Sequence, residues 1–97
     1  PQLQAQRRAR GQEIATNRML LDVGGADVVV VNPTHYAVAL RWDRASGRAP
    51  VCVAKGVDEM AARIRERAAE AGVPIRRDAP TARAIHATVE VGGQVLR

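Results

Sequence analysis

The run Val28-Val29-Val30-Val31-Asn32-Pro33-Thr34-His35-Tyr36-Ala37-Val38-Ala39-Leu40 decides how this chain folds. A β-branched apolar arm stops at Asn-Pro, and a second apolar arm begins beyond His35. Valine is stiff at χ1 and suits a pleated surface, so both arms read as strands. Successive valines without polar alternation predict a strand buried on both faces. Proline fixes its own φ and turns the preceding residue away from the helical region, which makes Asn32-Pro33 a turn signal. On spacing alone this is a β-hairpin turn and nothing more.

The chemistry of the turn goes further. An Asn side chain is normally attacked by the backbone N–H that follows it, which leads to deamidation. Pro33 has no N–H, so that route is closed. What remains is attack by the Asn32 side-chain nitrogen on its own backbone carbonyl, closing a succinimide and expelling Pro33 as a new N-terminus. The attack is intramolecular, and a turn that aligns it supplies part of the roughly 7–11 kcal/mol available to well-oriented intramolecular reactions. His35 is the nearby group suited to moving the proton. Backbone donors at the turn can hold the oxyanion formed on the Asn32 carbonyl, and the Thr34 hydroxyl can brace the turn. Asn32, Pro33, Thr34 and His35 are therefore the candidate site residues.

This segment, with Asn32-Pro33-Thr34-His35 intact, resembles the signature of the FlhB/YscU family of type III secretion export-gate switch proteins. The resemblance continues through Ala49-Pro50-Val51-Cys52-Val53-Ala54-Lys55-Gly56-Val57-Asp58, Ala62-Arg63-Ile64-Arg65 and Gly72-Val73-Pro74-Ile75, ending near Thr88-Val89-Glu90-Val91-Gly92. It implies the cytoplasmic domain of a membrane-embedded export-apparatus protein at the bacterial inner membrane. The implied activity is self-cleavage between Asn32 and Pro33, tied to a switch in which export substrates are accepted. The implied partners are other type III export-gate components, export substrates or their chaperones, and a switch or ruler protein. The residues do not assign a flagellar system or an injectisome, with a slight lean to the injectisome branch; the Ala/Arg-rich composition hints only at a high-GC bacterium. Thr81 and His86 stand where the family more often has an apolar and an aromatic residue, and Cys52 where it has a β-branched one.

At 97 residues the chain allows one domain with a modest core. No stretch approaches the roughly 18 consecutive apolar residues of a membrane span, and no signal peptide is visible. A start at Pro1 fits a fragment or processed product. Cys52 lies in an apolar run and reads as a small core residue. Residues 1–24 read as a basic linker helix, carrying Arg7, Arg8, Arg10 and Arg18 and broken at Gly24-Gly25. The resemblance directs it towards a missing membrane domain, its arginines near anionic lipid. Residues 25–97 form the switch domain.

Within that domain, residues 50–54 read as a third strand that Lys55-Gly56 turns into a helix over 58–71. Met60, Ala61, Ile64, Ala68 and Ala71 mark its buried face. Gly72 ends it, Pro74 prevents its resumption, and residues 73–76 are a short fourth strand. Asp78-Ala79-Pro80 opens a second helix to about Ala87, with Ala82 and Ile85 inward. The tail from Val89 reads as irregular with a little added strand. The expected fold is α/β, a small mixed four-stranded sheet flanked by helices, with residues 50–76 making a parallel crossover and the Asn32 hairpin an antiparallel pair.

No metal ligands stand at suitable spacing, and no cofactor or phosphate-binding loop is expected. A proposed nucleophile that is consumed by its own reaction makes this a single-turnover event rather than an enzyme. The net charge of +5 raises a basic nucleic-acid-binding module as the alternative. Against it, Arg63 and Arg67 share a helix face while Arg65 points elsewhere, glutamates interrupt the surface, and one Tyr with one Trp make a poor stacking platform.

Overall fold

The computed structural model describes residues 16–33, 35–42, 45 and 47–95. Helix α1 covers residues 16–23, and the remainder of the expected linker helix lies outside the described residues. Strands β1 (Val28–Asn32) and β2 (Tyr36–Arg41) form the hairpin. They are followed by β3 (Val51–Val57), helix α2 (Asp58–Ala71), β4 (Ile75–Arg77) and helix α3 (Ala79–Thr88). The sheet runs β3-β2-β1-β4, with β1 antiparallel to β2, β2 antiparallel to β3, and β1 parallel to β4. It is the mixed four-stranded α/β architecture that the residue pattern predicts.

The valine run is buried on both faces because helices cover both sides of its strand. Val29 and Val31 face α2, joining Ala37, Ala39, Ala61, Ile64 and Ala68. Val30 faces α3 with Val38, Leu40, Cys52, Ala82 and Ile85. Cys52 is buried as expected, and burial pushes its thiol pKa up. Val23 at the end of α1 is fully buried against the α2 face, so the last turn of that helix is anchored to the domain. Gly24 and Gly25 N–H groups then bond Leu21 and Asp22 carbonyls and end it.

Three expectations are corrected. Lys55-Gly56 does not turn the chain; β3 continues through them to Val57, with Lys55 opposite Val38, Gly56 opposite Ala37 and Val57 opposite Tyr36. Gly56 serves packing: a Cβ there would lie 2.4 Å from Met60 Cγ, so α2 can press onto the strand only over a glycine. Ala71 is exposed, since α2 ends where the sheet ends, and its buried residues are Ala61, Ile64 and Ala68. The fourth strand is displaced to Ile75–Arg77, because Val73 drops into the core and Pro74 uses its carbonyl to accept from Val29 N–H. The crossover does reach a strand parallel to β3, but at the opposite edge of the sheet, where β4 pairs with β1.

The ends of both later helices follow the chemistry of their residues. Gly72 closes α2 in the left-handed region at φ 72°, its N–H reaching the Ala68 and Ala69 carbonyls. Asp78 caps α3, accepting from the Thr81 N–H at 3.3 Å, with Pro80 in the first turn. The tail adds an isolated bridge between Gln94 and Val51. Among the described residues no helix is long and apolar enough to cross a membrane.

Candidate functional site

The Asn-Pro turn sits at the tip of the β1–β2 hairpin, over the start of α2. Asn32 is the last residue of β1, half-buried and opposite Tyr36. Pro33 is half-buried and His35 exposed, and Thr34 lies outside the described residues. The His35 N–H donates to the Asn32 carbonyl at 2.8 Å, closing the turn onto the carbonyl that the proposed cyclisation would attack. That is the backbone donor the chemistry asks for. As charge gathers on the Asn32 oxygen, an N–H already aimed at it becomes a stronger partner without reorganisation.

Two residues outside the motif hold the turn from α2. Asp58, the first residue of the helix, donates its N–H to the His35 carbonyl at 2.9 Å. Its φ of 49° is left-handed, the one such non-glycine residue among those described. Aspartate tolerates that region better than most side chains, and such strain persists where neighbours over-determine it. The Asp58 carboxylate also lies 3.6 Å from His35 Nδ1, with side chains 67% and 79% exposed, so water screens the pair and it orients the ring more than it stabilises the fold. Arg65, two turns into α2, donates through its guanidinium to the Pro33 carbonyl.

Sequence reasoning brought Asn32, Pro33 and His35 together, because they adjoin in the chain. It did not bring Arg65, 32 residues away from Pro33. The one trace of it was that Arg65 falls out of phase with Arg63 and Arg67. On the α3 side, Tyr36 packs its ring on His86, centroids 4.9 Å apart. Lys55 Nζ donates to the His86 carbonyl at 3.1 Å. Burial, then the Lys55 charge, lowers the His86 pKa below its ordinary value. Thr81 stays exposed at the helix cap. Among the described residues no group of three His, Cys, Asp or Glu side chains is placed to hold a metal ion.

Fold and turn together define a small α/β domain whose central hairpin carries an Asn-Pro bond at its tip. The family model described as the FlhB HrpN YscU SpaS Family matches residues 1–97, and the chain belongs to that family. It is 44% identical over 95 residues to flagellar biosynthetic protein FlhB of Escherichia coli (strain K12), covering 98% of this chain and 25% of that protein. It is 41% identical over 87 residues to hypersensitivity response secretion protein HrcU of Ralstonia nicotianae, covering 89% of this chain and 24% of that one. The chain thus spans about a quarter of the length of these relatives, and identity does not separate the two branches. The crystal structure of the cytoplasmic domain of FlhB from Shewanella putrefaciens superposes with a TM-score of 0.79 at 44% identity, over 84% of this chain and 63% of that one. A mutated EscU C-terminal domain shares the fold at 24% identity, with a TM-score of 0.77 over 81% of this chain and 79% of that one.

Proposed function

We propose that this chain is the cytoplasmic switch domain of a type III export-apparatus protein and that it cuts itself once, between Asn32 and Pro33. Asn32 Nδ2 attacks the Asn32 carbonyl carbon. The oxygen takes the charge under the His35 N–H, a proton passes from the amide to the Pro33 nitrogen with help from the His35 imidazole, and the C–N bond breaks. The first piece then ends in a succinimide, which water opens; the second begins with the Pro33 secondary amine. The observation that carries the reading is the 2.8 Å bond from His35 N–H to the Asn32 carbonyl, made in a turn whose next residue cannot deamidate its neighbour.

Residues 1–24 are the linker from a membrane domain and residues 25–97 the switch unit, at the cytoplasmic face of the inner membrane. Its partners are the other export-gate components, export substrates or chaperones, and a switch or ruler protein. The cut changes the surface at the hairpin tip and so alters which substrates the gate accepts. No turnover follows, because the nucleophile ends inside its own product.

Intact-protein mass spectrometry under denaturing conditions tests this directly. Wild type is expected as two pieces meeting between Asn32 and Pro33, their masses summing to the uncut chain or to one water more. Asn32→Ala is expected as one folded, uncut chain, and His35→Ala as a slower cut. A wild-type chain still whole after prolonged incubation removes the mechanism.

A further inference from the structure

Every described carbonyl around the scissile bond has a donor. The Val31 oxygen accepts from Asp78 N–H at 3.0 Å, the Asn32 oxygen from His35 N–H at 2.8 Å, and the His35 oxygen from Asp58 N–H at 2.9 Å. The Pro33 oxygen accepts from the Arg65 guanidinium. Three of these donors are backbone groups, which come with the sheet, the turn and the helix. The fourth is a side chain, and it acts on the residue that will leave.

We propose that Arg65 is a positioning residue for the cleavage, a role that rests on the self-cutting reading above. Pro33 has no N–H to anchor it, and its φ is fixed by the ring. The freedom left to it is rotation of the peptide plane that follows, which carries the Pro33 carbonyl. Arg65 pins that oxygen. The chain then reaches His35 with its N–H directed back at the Asn32 carbonyl. Without the guanidinium the plane can swing, and the donor that supports the oxyanion swings with it.

The helix supplies the reach. Ile64 is fully buried against the sheet, and the next residue is turned about 100° round the axis. That turn carries Arg65 from the core face to the side where the hairpin tip lies. Arg67 goes elsewhere, half-buried with its guanidinium beside Gly24 and 3.7 Å from Glu70. Arg65 is half-buried, and a charged donor on a partly desolvated carbonyl is among the stronger hydrogen bonds. Arginine suits the task because it keeps its charge and offers a planar fork where lysine offers a mobile point charge.

Cell-free synthesis of the chain on a clock, quenched in acidic denaturant and read by intact mass, gives the cutting rate. Arg65→Ala is expected to cut about tenfold or more slowly than wild type, the effect of losing one charge-assisted bond from the reactive geometry. Arg65→Lys is expected to recover part of the rate, and low millimolar guanidinium to recover part of it in Arg65→Ala. Melting Asn32→Ala beside the uncut double variant Asn32→Ala with Arg65→Ala separates folding from positioning; their midpoints are expected within a few degrees. An Arg65→Ala rate equal to wild type overturns the inference while the self-cutting reading stands. So does a slow rate that neither lysine nor guanidinium lifts, matched by a collapse in the melting midpoint. An uncut wild type removes both.

Discussion

Cutting the Asn32–Pro33 bond turns one folded chain into a complex of two, and the structure sets how much stability that removes. The first piece contributes α1 and β1; everything else is in the second. Strand β1 is central, bonded on one side to β2 and on the other to β4. Val23, Val29, Val30 and Val31 of the first piece are all buried against the second. At about 1.5–3 kcal/mol for each buried valine, their burial alone is worth roughly 6–12 kcal/mol as an upper figure. What the cut removes is the tether. A short tether gives an effective concentration in the millimolar range, so at about 10 μM protein its loss costs about 3 kcal/mol. The pieces therefore stay together, with a midpoint roughly 12–24 °C below that of uncut Asn32→Ala. The signature is concentration dependence. Each tenfold dilution costs the cut complex about 1.4 kcal/mol, or roughly 6–11 °C, and leaves the uncut chain unmoved. Thermal melts of both forms over a hundredfold concentration range, with native size-exclusion chromatography at 10 μM (about the concentration assumed above), measure it. A cut complex whose midpoint ignores dilution, or whose pieces elute apart, refutes the reasoning.

Two further outcomes follow from the packing. Gly56→Ala would place a Cβ 2.4 Å from Met60 Cγ, 2.8 Å from Met60 Cβ and 3.2 Å from the Met60 backbone carbon, so α2 must lift from β3. A loss of about 1–3 kcal/mol in denaturant unfolding is expected, with slower cutting because Asp58 moves away from His35; unchanged stability would show that the strand yields instead. His86 adds a pH dependence. Its folded-state pKa lies below the ordinary 6.5, so the folded state favours the neutral ring. That contribution is complete above the unfolded value and is lost as pH falls through the lowered one. Wild type is expected to lose more stability than His86→Gln between neutral pH and mildly acidic pH, in melts of the uncut background, and parallel profiles would dismiss the assignment.

How far the residues alone revealed this structure depended on the distance over which each feature is decided. The hairpin was legible because its cause is local: stiff valines, a proline, and a second apolar arm. The caps at Gly72 and Asp78 were legible for the same reason. The length of β3 was not, because Lys55-Gly56 has the composition of a turn. Only the antiparallel partner β2, pairing those residues with Val38 and Ala37, shows that the ladder continues. Likewise Ala71 fits the helical period of the buried face and fails only because the sheet ends beneath it. In the site, the reacting group and the absence of an N–H on the next residue could be read from adjacent letters. Asp58 and Arg65 could not, since their role exists only once α2 lies under the hairpin tip.

That placement gives the cut a direction. Before it, the Arg65 guanidinium meets a carbonyl oxygen, an attraction that keeps Pro33 in the turn. After it, the Pro33 nitrogen, joined through one carbon to that same carbonyl, becomes an amine that is protonated near neutral pH. On the proposed reading the guanidinium then faces a second cation within a few bonds of its acceptor. Held together at the surface, two such charges repel by a few kcal/mol at an effective dielectric near 20 and by less where water intervenes. That is comparable with the bond Arg65 had made, and it opposes it. The sheet and core are indifferent to the change, because their strands remain paired. The hairpin tip is not. On the proposed reading, the residue that holds the turn closed for cutting is thus the one that favours its opening afterwards, and a single irreversible event at Asn32 would become a lasting change in the surface offered to a partner.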